Sequence, residues 1–218
     1  MKLDDIILQY NVRAAIFDLD GTLIDNNSYH LLTWQKYVER FDRNMTKEEY
    51  NENINGRTNK NALEYVYQRK MTEEEATPLA LEKEAMYREI YQPHIEPVPG
   101  LIDLLEQLAE RGIPMAIATS GIEVNIQFMF SNIPIEKYFK FIVNSSHIKK
   151  GKPDPEIYIK TADMLSIPVS NCLVFEDAVV GIESAKRAGM HVVAITTTHA
   201  IEELKESDLL IDSYFDLL

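Results

Sequence analysis

The sequence predicts an α/β fold, a Rossmann-like doubly wound parallel sheet interrupted by an inserted block of helices. Three observations lead there. Short apolar runs rich in Ile, Val, Phe and Ala alternate with helix-period segments beyond Gly100. The long stretch between the first and second runs has helical spacing and no strand. A proline-bearing segment, Gln92–Gly100, then closes that stretch. Strand-helix alternation builds βαβ units and hence a parallel sheet.

Taken in order, the N-terminal segment MKLDDIILQYN is acidic and lacks a signal peptide's apolar stretch. The runs Ala14–Phe17, Met115–Ala118, Phe141–Val143, Cys172–Phe175 and Val192–Ile195 have the length and bounding turns of buried strands, apolar on both faces. Leu101–Arg111, Val124–Phe130, Glu156–Leu165 and Gly181–Ala188 carry the helical period between them. Inside the insertion, Leu31, Trp34, Val38 and Phe41 recur at steps of three and four, one helical face. Thr72 with Glu75 forms a capping box opening another helix, whose apolar spacing continues through Met86, Tyr87, Ile90 and Tyr91. Pro93, Pro97 and Pro99 resist both helix and central strand, which sets a boundary. The expected division is a core of residues 1–26 and 97–218 with an inserted helical domain at 27–96.

The length fits this plan: 218 residues exceed one domain of about 150 by a sizeable insertion. With 45% hydrophobic and 26% charged residues, the chain is an ordinary globular protein rather than a disordered one. The 35 Asp and Glu outnumber 22 Lys and Arg, a net charge of -13, which argues against nucleic-acid partners and anionic membrane surfaces. No apolar run approaches the roughly 20 residues of a membrane span. A single cysteine, Cys172, excludes an internal disulfide and reads as strand packing, so the cytoplasm is the expected compartment. The sequence sets no oligomeric state.

The chemistry-bearing residues lie at strand ends, where open parallel sheets bind ligands. The first run ends in Asp18-Leu19-Asp20-Gly21-Thr22, and the run Cys172–Phe175 ends in Glu176-Asp177. Either motif alone reads equally well as a turn or a helix cap. If the two strands are neighbours, four acids converge and repel unless a cation or proton joins them. Oxygen ligands of this charge suit Mg²⁺ better than zinc. Thr119-Ser120-Gly121 follows another strand and can offer hydroxyls and backbone N–H groups to an anion, or simply cap a helix. Lys152, in a rigid turn before a helix, would be a solvated lysine by itself and a charge anchor beside a phosphate and carboxylates.

Together Asp18-Leu19-Asp20-Gly21-Thr22-Leu23, Thr119, Lys152-Pro153-Asp154-Pro155 and Glu176-Asp177 resemble the four ordered motifs of the haloacid dehalogenase superfamily over nearly the whole chain. The insertion resembles that family's first cap type. Asp25 through Trp34, with His30, and Gly56 before a helix resemble its β-phosphoglucomutase-like branch.

The resemblance implies roles. Asp18 would be the nucleophile that forms an aspartyl-phosphate, and Asp20 the acid and base for the leaving and incoming oxygens. Asp18, the Asp20 carbonyl and Asp177 would hold Mg²⁺, with Glu176 on the ion or just behind it. Thr119 and Lys152, with Ser120 in the same turn as Thr119, would hold phosphoryl oxygens. His30, Gly56 and Arg57 would face substrate from the insertion. Lys83 resembles a lysine of the mutase members but reads as a solvated helix charge, and Trp34 as packing within the insertion. His94, His147, His191 and His199 show no metal-ligand spacing.

The implied activity is a Mg²⁺-dependent phosphatase for a small phosphorylated, sugar-phosphate-like metabolite. The close alternative is a β-phosphoglucomutase using the same intermediate. Mutase members carry Arg where this chain has Asn59, and Ser-Lys-Asn where it has Gly121-Ile122-Glu123, which favours the phosphatase. A haloacid dehalogenase would leave Asp20 and Asp177 idle. A non-catalytic binding protein would have lost motif residues that are all present.

Overall fold

The computed structural model describes residues 1–218. Its centre is a sheet of six parallel strands: β1 (Ala14–Phe17), β2 (Met115–Ala118), β3 (Phe139–Val143), β4 (Cys172–Glu176), β5 (His191–Ile195) and β6 (Leu209–Ile211). They lie in the order β3-β2-β1-β4-β5-β6. The chain therefore leaves β1 in one direction and later returns to its other side, a doubly wound sheet as expected.

Successive strand residues point to opposite faces. Ala15, Phe17, Met115, Ile117, Leu173 and Phe175 join one apolar cluster, while Ala14, Ile16, Ala118, Cys172 and Val174 join another. The first face is covered by α1 (Leu3–Gln9), α6 (Leu101–Glu110) and α7 (Glu123–Asn132), and the second by α8 (Glu156–Leu165) and α9 (Val179–Arg187). Both faces being covered explains the near-continuous apolar strand runs.

Between β1 and β2 stand α2 (Asn27–Val38), α3 (Lys47–Asn53), α4 (Asn59–Tyr67) and α5 (Glu73–Tyr91). They build their own apolar cluster around Trp34, Tyr37, Tyr50, Leu63 and Val66. Thr72 caps α5, its hydroxyl accepting from Glu75 N while Glu75 answers at Thr72 N, so the capping box reads true. The far end of α5 reaches the sheet: Tyr87 and Tyr91 are buried in the core cluster. The two connections meet, with Ile24 bridged to Pro97 and Val98 N donating to Leu23 O.

Four readings differ from the structure. β3 starts two residues earlier and is mostly half-exposed, because it is an edge strand with a less covered face. β6, three residues at the opposite edge, is too short to signal itself. α1 was not expected; only Leu3 and Ile6 mark its buried side. Phe41 falls on a 3-10 turn after α2 and is 37% exposed, off the Trp34 and Val38 face. No helix is long and apolar enough to cross a membrane.

Candidate active site

β1 is flanked by β2 and β4, and the strand order reverses there, which is where open α/β sheets form a ligand crevice beyond the strand carboxyl ends. Phe17 pairs with Phe175 in register, and Asp18 N donates to Phe175 O at 3.0 Å. Asp18 and Glu176 therefore emerge side by side. Thr119 leaves β2 on the other flank, fixed by its N–H to Val143 O at 3.0 Å.

Lys152 closes the arrangement from the turn before α8. Its Nζ lies 2.6 Å from Asp18 Oδ1 and 2.5 Å from Glu176 Oε1, and all three residues are buried. Glu176 Oε1 also accepts from Tyr158 OH at 2.9 Å, while Oε2 accepts from the N–H groups of Asp177 and Ala178, each at 2.9 Å. A carboxylate has about four lone-pair positions, and these four donors occupy them. Glu176 is thus a bracket for Lys152 and for the turn into α9. Gly181 makes room for it, since a Cβ there would fall 1.7 Å from Glu176 Oε1.

Asp20 sits apart from this cluster. Its Oδ1 accepts from Asn26 Nδ2 at 2.5 Å and faces His30 Nε2 at 3.5 Å. Burial works against its ionisation, but the contacts with His30 and Asn26 outweigh it and hold the carboxyl below its ordinary range. Asp18 goes the other way: burial, assisted by Glu176 and Asp20 and opposed by Lys152, pushes it up to about 7. Burial, then Glu176 and Asp18, raises Asp177 well above the usual carboxylate range. Two carboxylates two positions apart are thereby driven in opposite directions by their surroundings: without a cation Asp18 holds its proton more tightly and Asp20 less.

Asp18, Glu176 and Asp177 place carboxylate oxygens within 4.8 Å of one another. Crowded, desolvated carboxyls of this kind are relieved by a cation, and an all-oxygen set suits a hard divalent ion. The loop is shaped around the cluster. Gly21 has φ +78°, and a Cβ on it would come 2.1 Å from Asp177 Oδ2. Of the four sequence-predicted acids, the Asp20 side chain is turned towards Asn26 and His30, so any share it takes in holding an ion falls to its backbone carbonyl.

Two asparagines that the sequence did not single out hold the acids. Asn27 Nδ2 donates to Asp177 Oδ2 at 3.0 Å and to Thr198 Oγ1 at 2.7 Å, with Thr22 Oγ1 on Asp177 Oδ1 at 3.2 Å. Asn26 binds Asp20, Tyr87 OH and, through Oδ1, the Gly21 N–H. The only local signal was a polar Asn-Asn pair just beyond the Asp-Gly turn. Thr119 is 1% exposed; its Oγ1 accepts from Gly121 N, which leaves the hydroxyl proton free to donate to an anion.

The insertion stands docked over the crevice. Ser120, expected among the phosphate ligands, instead donates its hydroxyl to Gly56 O at 3.0 Å, so its one proton is engaged in joining core to insertion. Gly56, with φ +71°, faces Val180 and Ala178. Arg57 lines the cavity with its Nε buried and unpartnered, while its terminal nitrogen donates to Glu52 O at 3.1 Å. Lys83 is a correction: it is 2% exposed, bonded to Glu84 at 3.0 Å and to His30 Nδ1 at 2.9 Å. The α5 face carrying it is pressed against α2 and α7, which leaves it buried beside the cavity. The cavity these residues line holds about 60 Å³ of space for water centres.

The profile of the haloacid dehalogenase-like hydrolases matches residues 15–195. The chain is 30% identical over 204 residues to validoxylamine A 7'-phosphate phosphatase of Streptomyces hygroscopicus subsp. limoneus, covering 91% of this chain and 92% of that one. It is 33% identical over 196 residues to β-phosphoglucomutase of Bacillus subtilis, covering 84% and 83%. Among solved structures, a haloacid dehalogenase-type hydrolase of family IA, variant 3, from Entamoeba histolytica superposes with a TM-score of 0.84 at 33% identity, over 95% of this chain and 96% of that one.

Proposed function

This chain belongs to the haloacid dehalogenase-like hydrolases, and from that membership we propose that it is a Mg²⁺-dependent phosphatase for a small sugar-phosphate-like monoester. The observation that carries the reading is the split environment of Asp18 and Asp20. Asp18 Oδ1 is held by Lys152, and Asp20 is held separately by Asn26 and His30.

Asp18 attacks phosphorus as its bond to the ester oxygen breaks, giving an aspartyl-phosphate and an alcohol. Asp20, ionised in the substrate-free protein, takes up a proton as the phosphoryl charge arrives beside it and gives that proton to the departing oxygen. It then takes a proton from a water, which attacks phosphorus and frees Asp18. Thr119 donates its hydroxyl to a phosphoryl oxygen, and Lys152 offers the ammonium proton left after Asp18 and Glu176 are served. Mg²⁺, held by Asp18, the Asp20 carbonyl and Asp177 with Glu176 behind, would neutralise phosphoryl charge, the main requirement of such transfers.

We assign residues 27–96 the part of a cap over the core formed by 1–26 and 97–218. The cap would swing to admit substrate and close to exclude water. His30, Gly56 and Arg57 then form its substrate-facing wall. The test is phosphate release from a panel of phosphomonoesters, with and without Mg²⁺, for the wild type and Asp18→Asn. No release from any ester would sink the reading.

A mutase is the second reading, favoured by the Bacillus subtilis relative. Glucose 6-phosphate formed from β-glucose 1-phosphate faster than inorganic phosphate would establish it instead.

A further inference from the structure

One buried carboxylate lines the catalytic cavity without a part in the chemistry above. Glu84, on α5, is 3% exposed. Its Oε1 accepts from Lys83 Nζ at 3.0 Å and its Oε2 from Asn125 Nδ2 at 2.6 Å. Arg88 NH1 donates to Asn125 Oδ1 at 2.8 Å, which fixes the amide with its donor side towards Glu84. Burial opposes the charge on Glu84, but Lys83, His30 and Asn125 outweigh it, so the carboxyl lies below its ordinary range and is anionic at neutral pH.

Its place in the cavity is set by a continuous chain of contacts. Glu84 meets Lys83, Lys83 meets His30 Nδ1 at 2.9 Å, and His30 Nε2 faces Asp20 at 3.5 Å. Glu84 is thus linked to Asp20, on whose side the alcohol departs. His30 Nε2, buried on that same side, makes no hydrogen bond beyond its 3.5 Å approach to Asp20.

We propose that Glu84 is a specificity-determining residue that makes the leaving-group end of the cavity reject a second anionic group and accept neutral or cationic hydroxyl-rich alcohols. The inference rests on the phosphatase reading and deepens it. The charges of this wall support it. Asp18, Asp20, Glu84, Glu176 and Asp177 line the cavity against Arg57, Lys83 and Lys152. Lys152 is matched by Asp18 and Glu176, and Lys83 by Glu84. Arg57 alone is unmatched by a carboxylate, and one of its nitrogens is engaged by the Glu52 carbonyl. A second phosphate there would meet Glu84 and Asp20 with Lys83 already paired to Glu84 and only Arg57 free to offset the added charge, and like charges brought together in a desolvated site suppress binding strongly.

A hydroxyl meets the opposite situation. Two of the about four lone pairs of Glu84 and one of the three Lys83 protons remain unused. A sugar hydroxyl both donates and accepts, so it can satisfy the two groups at once. A site built this way also disfavours alcohols without hydroxyls, because its buried polar groups would go unpaired.

The test uses the full chain with Mg²⁺ and four probes: a hexose monophosphate, the corresponding amino-sugar phosphate, a sugar-acid phosphate and a hexose bisphosphate. In the wild type, kcat/KM should favour the first two over the last two by at least about tenfold. Glu84→Gln keeps the shape and removes the charge. It should shrink that preference about tenfold or more, whereas Glu84→Asp should keep it. Equal wild-type values for all four probes would overturn the proposal, as would a Glu84→Gln variant that slows all four by one common factor. If Glu84→Gln does not fold, the wild-type order decides alone. No phosphate release from any probe would take down the phosphatase reading and this inference with it; release without charge preference would remove this inference only.

Discussion

Lys152 Nζ lies 2.6 Å from Asp18 Oδ1, although 134 positions separate them in the chain. The contact ties the turn before α8 to the end of β1, and a second bond to Glu176 ties it to β4. Removing one partner of a buried ion pair strands the others. Lys152→Ala should therefore destabilise the metal-free protein by about 3–5 kcal/mol and abolish turnover. Denaturant titration measures it, and added Mg²⁺ should restore part of the loss by replacing the missing positive charge. A cost below about 1 kcal/mol would show that the pair behaves like a solvated surface bridge.

Asp18→Asn should abolish turnover and leave the fold intact, since the amide keeps the volume and loses the nucleophilic oxygen. The same variant isolates a pH effect. The folded-state carboxyl of Asp18 is raised from 3.8 to about 7, so between those values the native state binds the extra proton. Stability then falls as pH rises. From pH 5 to pH 8, above the ordinary carboxylate range, the metal-free wild type should lose stability relative to Asp18→Asn, which cannot ionise there. Mg²⁺ should flatten the decline, because it favours the ionised form. Melting curves for both proteins at each pH decide it; parallel curves would mean that Asp18 is not raised.

The signals legible in the sequence are local. Asp18, Asp20, Thr119, Glu176 and Asp177 each follow an apolar run whose length marks a strand, so their common placement follows from the parallel sheet. What stayed hidden depends on distant partners. Asn27 matters because Asp177, 150 residues away, lies within reach, and Asn26 because Tyr87 and Asp20 do. Neither spacing nor residue type announces such pairings. Lys83 misled for a related reason: helical period gives the apolar stripe, and a lysine beside it reads as solvated until a second element covers it. Here α7 supplies Asn125 and α2 supplies His30, so that side of α5 faces partners and the cavity instead of bulk solvent. The edge strands were read short or missed because half-exposed strands lack a continuous apolar run.

Asp20→Asn should slow alkyl phosphates far more than activated aryl phosphates. Only a poor leaving group needs its oxygen protonated as the bond breaks, and general acid catalysis is worth about 10²–10⁴-fold. The ratio of kcat/KM for a sugar phosphate to that for para-nitrophenyl phosphate is the measurement. An equal loss for both would remove Asp20 from the acid role. Asn26→Ala should move the same ratio in the same direction by a smaller amount, because it releases Asp20 without removing the carboxyl.

Chelation with EDTA should abolish activity, and Ca²⁺ should restore it poorly. Mg²⁺ requires near-octahedral ligands at about 2.0–2.1 Å, whereas Ca²⁺ accepts six to eight at longer range. The larger ion would draw both Asp18 oxygens and misalign the attacking one. Activity after titrating each ion into chelated protein tests this. Undiminished turnover in EDTA would refute the metal assignment.

The final expectation concerns Arg57. The connections to the cap meet where Ile24 bridges Pro97 and Val98 N binds Leu23 O, so bending should concentrate on the cap side of that pair. When the cap is docked, Ser120 holds the Gly56 carbonyl, and the next residue, Arg57, lines the cavity with its Nε buried and unpartnered. An orphaned donor of this kind is costly unless substrate satisfies it. A sugar hydroxyl reaching that wall would accept from it, while the phosphoryl group remains with Thr119 and Lys152 in the core. Arg57→Ala should therefore weaken a hexose phosphate more than a small aryl phosphate. Hydrogen bonds to charged groups are worth about 1.5–3 kcal/mol, so the expected loss in kcat/KM is roughly ten- to a hundredfold, carried mainly by KM. Larger loss on the aryl phosphate, with the hexose phosphate spared, would assign Arg57 to the stability of the cap loop through its bond to Glu52.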